Sequence, residues 1–127
     1  MSQHRIEADD QFYRAINPIH WEKNRVKARA FKPRGNEDIS VDWAKLTTPA
    51  DSAKPWIKVW GVVRLGTLTA KSIRDEGLNL DPDPKPDNQA HCLISGHLLH
   101  SAGGDGVLVR QRLARTCNEL GVLGPFT

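Results

Sequence analysis

Six cationic residues, Lys23, Arg25, Lys27, Arg29, Lys32 and Arg34, fall within twelve positions, with Arg14, His20 and Trp21 shortly before them. Rows of lysine and arginine hold phosphates by charge and by the release of counterions, and an aromatic side chain beside them can stack on a base. This pattern points to a nucleic acid or an acidic protein surface as partner. The same charges also suit the solvated outer face of a strand, where they discourage edge pairing.

Histidines supply the second group. His91, His97 and His100, with Cys92 beside them, are ligand types that a transition metal accepts. Their spacing matches no known site, and His91 and Cys92 point to opposite faces of any strand that carries both, so no metal is assigned. A histidine beside an arginine or a carboxylate could instead move a proton at a phosphate or ester. His20 with Arg14 and Arg25, and His91 with Asp87, are the pairs the sequence offers, with Arg14 or Arg25 holding the phosphate.

Other motifs are less specific. Gly103-Gly104-Asp105-Gly106 lacks the lysine and spacing of a phosphate-binding loop and the strand-linked pattern of a dinucleotide fold, so no cofactor is expected. Cys92 and Cys117 fit neither a redox pair nor a zinc knuckle and are read as buried thiols. Trp43 and Trp60 belong to predicted strands and to the core, whereas Trp21 and Trp56, beside loops, are candidates for a contact surface, together with residues 121–127. No motif places the chain in a family.

The elements that must position these residues follow from composition and pattern. At 127 residues, 39% hydrophobic and 26% charged, the chain has the size and composition of one folded domain. Its net charge of +3 is unevenly spread: residues 1–35 hold eight Lys/Arg against four Asp/Glu. No run of about 20 apolar residues occurs and the first residues show no secretory signal, so a cytoplasmic location is expected.

Asp9 or Asp10 predicts a short helix through Phe12, Tyr13 and Ile16, ended by Asn17-Pro18. Residues 25–31 alternate, so Arg25, Lys27 and Arg29 would share one face of a strand and Val26, Ala28 and Ala30 the other. Residues 39–45 predict a second strand, pairing with the first across a long loop. Thr48-Pro49 predicts a helix start with a turn or two before Pro55. The run 57–65, rich in β-branched residues, predicts the central strand. Thr69 caps a helix to about Glu76, stopped by Gly77, and the Pro/Asp-rich segment 81–88 is an exposed connection. Residues 91–95 form another strand. The last helix runs from Gly106 or Val107 to Leu120, buries Val109, Leu113, Thr116, Cys117 and Leu120, and carries Arg110 at its edge.

The expected architecture is α+β: a small, mostly antiparallel sheet of about four strands covered on one face by the C-terminal helix. The first functional reading is a non-enzymatic module binding nucleic acid or an acidic partner through Arg14, His20, Trp21, Lys23, Arg25, Lys27, Arg29, Lys32 and Arg34. A small hydrolase or nuclease with a histidine acid/base is the second, and a recognition subunit or immunity-type partner of another protein the third.

Overall fold

Alternation of side chains explains why a strand, and not a helix, follows Asp10. In a computed structural model, which describes residues 5–127, Gln11–Ile16 is strand β1. Phe12, Arg14 and Ile16 point to one face, Tyr13 and Ala15 to the other; the first face is in the core and the second half-buried, so the helix expected here is replaced by a central strand. Asp10 accepts from the Glu7 amide in a turn (2.9 Å) and caps no helix.

The basic strand expected over 25–31 does not form. Trp21–Glu22 (β2) and Arg25–Val26 (β3) make a two-rung hairpin turned by Lys23 and Asn24, both at positive φ, and Ala28–Phe31 is a 3-10 helix. The reason is burial: Ala30 and Phe31 are both inside, and neighbours in a strand would face opposite ways. Arg25, Lys27 and Arg29 therefore do not emerge together from one strand face.

Ile39–Trp43 (β4) is a strand as expected, with Ile39, Val41 and Trp43 buried, but it pairs with β1 and with His91–Ser95 (β7). The helix at Thr48 is longer than expected. Pro49–Trp60 (α1) continues through Pro55 because Ala53, Trp56, Ile57 and Trp60 recur at helical spacing against the sheet, with Pro55 on the outer side. Trp60 thus leaves its predicted strand, stacks on Trp56 (centroids 4.7 Å apart), and the strand itself begins at Val63. Val63–Thr69 (β5) leads into Ala70–Arg74 (α2), whose Thr69/Ser72 capping box and Gly77 (φ 76°) match the expected start and stop.

Asn79–Pro82 (β6) and Val122–Phe126 (β8) extend the sheet to six antiparallel strands in the order β6-β7-β4-β1-β5-β8, two more than expected. Both carry proline on an outermost strand, where a missing ladder donor is tolerated. Asp81 and Pro82 lie in β6, so only the remainder of the Pro/Asp segment is a loop. The α+β class with a mostly antiparallel sheet stands.

Helices lie on both faces, where one covered face was expected. Gly104–Leu120 (α4) packs Val109, Leu113 and Cys117 onto Phe12, Ile16, Trp43 and Leu68, while Leu120 stays half exposed at 49%. Arg110, expected at an edge, is buried and donates to the carbonyls of Leu99 and Ser101 (3.0 and 3.1 Å), capping the short helix His97–His100 (α3). Gly106 is required at that crossing, since a Cβ would strike the carbonyls of Leu98 and Ser101. The opposite face is covered only in part, by α1 over Tyr13, Ala15, Val63 and Leu65. No helix of the described residues is long and apolar enough to cross a membrane.

Both cysteines are free and buried, and burial pushes each thiol up to about 12. At about pH 8 the native protein is expected to resist iodoacetamide, while the chain in concentrated guanidinium takes two labels by mass spectrometry. Labelling of native protein at the denatured rate would contradict this packing.

Candidate active site

Where α1 stops covering the sheet, the exposed half of that face forms the floor of an open groove of about 900 Å3. Its walls are α1 and the β6–β7 loop. The register puts polar side chains on the floor: Asp42 of β4 lies opposite both Tyr13 of β1 and His91 of β7, and Ser40 is two residues along the same face.

His91 links two groups. Its Nδ1 lies 3.0 Å from the Asp83 carbonyl oxygen and 3.1 Å from Asp83 Oδ2, and its Nε2 lies 3.1 Å from Ser40 Oγ. A carbonyl and a carboxylate only accept, so Nδ1 must carry the proton. In the neutral ring Nε2 is then the acceptor, and the Ser40 hydroxyl donates to it. This is the tautomer a general base needs, with the hydroxyl as nucleophile and the carboxylate as orienting group.

The loop that brings Asp83 is held by its own bonds. Lys85 and Asn88 exchange backbone hydrogen bonds (3.0 Å each), the Ala90 amide donates to Asn88 Oδ1, and the Asp83 amide donates to the His91 carbonyl (2.8 Å). Asp42 ties both walls to the floor. Ser52 of α1 donates to its Oδ2 (2.7 Å) and Asn88 of the loop to its Oδ1 (2.8 Å). Asp42 is a positioning residue, and Asp42→Ala is expected to cost about 3 kcal/mol, since bonds to a charged acceptor contribute roughly 1.5–3 kcal/mol each. Thermal denaturation measures the loss; unchanged stability would show that the walls stand without it.

The sequence had paired His91 with Asp87; the hairpin register brings Asp83 instead, leaving Asp87 at the rim. Ser40 was not singled out, because a lone serine in a strand carries no local signal. His97 is exposed and His100 faces Asp38 at 4.0 Å, so the histidines do not converge; among the described residues no group of three His, Cys, Asp or Glu could hold a metal ion.

The cationic residues lie elsewhere. Arg14 is on the opposite sheet face, its Nε and Nη2 donating to Ala30 O (3.0 and 2.9 Å) and its Nη1 to Ser40 O (3.0 Å); burial lowers its pKa to about 10. It is an internal strut with three of its five N–H donors occupied. Lys27 pairs with Glu22 (2.8 Å). Lys23, Arg25, Arg29, Lys32 and Arg34 are exposed and pair with no carboxylate among the described residues. His20 is half-buried and held below the ordinary histidine range, first by burial and then by Arg14, Arg29, Lys27 and Arg34. Trp21 lies under the Arg64 guanidinium (4.6 Å), and Trp56 lines the groove. Residues 121–127 include the outermost strand β8, which pairs with β5. The chain matches no family model, and neither a curated protein nor a solved structure is significantly similar to it.

Proposed function

We propose that the protein is a small hydrolase acting on an ester in the groove over β4 and β7. The observation that carries this reading is His91 bonded at Nε2 to the Ser40 hydroxyl and at Nδ1 to the Asp83 backbone carbonyl, with the Asp83 carboxylate 3.1 Å from Nδ1. Ser40 Oγ attacks the ester carbon or phosphorus while its proton passes to His91 Nε2. Asp83 steadies the resulting imidazolium, and the proton then goes to the departing alkoxide oxygen as its bond to the acyl or phosphoryl group breaks. Water, deprotonated by the same nitrogen, releases the covalent intermediate and restores the serine. A fluorophosphonate probe tests this directly: a single adduct on Ser40, lost in Ser40→Ala and strongly slowed in His91→Ala, is expected by peptide mass spectrometry. An unlabelled Ser40, or labelling indifferent to His91, would dispose of the reading.

Binding of nucleic acid or an acidic protein surface is a second reading. What supports it is no longer a strand face but the five exposed cations between 23 and 34 that pair with no carboxylate among the described residues, two of which, Arg29 and Arg34, add with Arg14 and Lys27 to the positive field at His20. Such binding weakens steeply with salt. Mobility shifts with single- and double-stranded DNA and RNA at two salt concentrations decide the nucleic-acid form; absence of a shift at low salt removes it.

A further inference from the structure

We propose that the ester taken by this groove carries an anionic group, held at the rim by Lys54 and Lys58 of α1 and by Lys85 of the facing loop. This rests on the Ser40–His91 reading and adds the substrate class. The three lysines line the groove from both walls. Lys54 and Lys58 stand one helical turn apart, a spacing at which like charges repel, and neither has an ion-pair partner among the described residues. Asp51, on the same rim, sits in the first turn of α1, where the helix dipole already favours its charge. Asp87 lies at the tip of the tight turn between Lys85 and Asn88.

The floor disfavours a second negative charge, because the Asp42 carboxylate, fixed by Ser52 and Asn88, already stands there. An anion is therefore directed to the rim, while Pro55, Trp56 and Val59, the last 68% exposed, supply an apolar wall for the rest of the molecule. Lys85 Nζ lies 3.3 Å from the Asp83 oxygen that faces His91, so the cationic rim and the catalytic line meet at that carboxylate. The shared chemistry is an ester whose anionic group stands apart from the reacting carbonyl, as a carboxylate tail does.

Two chromogenic substrates test this: p-nitrophenyl butyrate and the mono-p-nitrophenyl ester of glutarate, each with the wild type and with Lys54→Gln/Lys58→Gln. The expected result is a kcat/KM for the glutarate ester roughly five- to tenfold above that of the neutral ester, with this ratio falling to near one in the double variant through KM. Turnover of the neutral ester at an equal rate, with a ratio indifferent to the lysines, overturns the anionic class while leaving the hydrolase standing. No turnover of any ester together with an unlabelled Ser40 overturns both.

Discussion

Ser40→Ala is expected to reduce ester turnover by on the order of 10³-fold or more, to near the uncatalysed rate, and His91→Ala to do the same. The double variant should lose no more than either single one, because a nucleophile without its base and a base without its nucleophile fail at the same step. Asp83→Asn should lose less, since the Asp83 backbone carbonyl still accepts from His91 Nδ1 at 3.0 Å and keeps the tautomer. Folding is preserved in Ser40→Ala, because the strut from Arg14 reaches the Ser40 carbonyl and not its hydroxyl. Steady-state rates with p-nitrophenyl esters, alongside near-ultraviolet circular dichroism, measure the effect. Multiplicative losses in the double variant would mean that the two residues do not act as a unit.

Arg14→Met is expected to lower the free energy of unfolding by about 3–5 kcal/mol. Three donors of one guanidinium satisfy Ala30 O and Ser40 O, joining the 3-10 helix at 28–31 to β4 where the β1–β4 register covers only Phe12 and Tyr13. Methionine fills much of the volume and leaves both carbonyls without that donor. Arg14→Lys should recover little, because one ammonium cannot reproduce a planar fork that reaches two carbonyls. With a urea dependence of about 2 kcal/mol per molar, the midpoint should fall by roughly 2 M. A midpoint unchanged in Arg14→Met would contradict the strut. The same residue shows how a basic side chain read from sequence as a phosphate ligand can be engaged inside the fold.

What the sequence by itself determined is local. The Thr48 and Thr69 caps, the Gly121 stop, the strands beginning at 39 and 91 and the last helix depend on neighbours within a few residues, and each is where its own side chains place it. His91 was legible as an acid/base candidate on its chemistry alone. Tertiary structure decided the rest. Residues 11–16 read as a helix because the half-burial of the second face hides the alternation of a central strand; 25–31 lost its strand because Ala30 and Phe31 must both enter the core; Pro55 did not stop α1 because the apolar stripe outweighed one lost backbone bond. The site is the extreme case. Ser40 and His91 are 51 residues apart and meet only through the β4–β7 register, and Asp83 replaces Asp87 because β6 pairs with β7 in one register and not another. A one-residue slip would turn each of these side chains to the opposite face, so no spacing along the chain could reveal them.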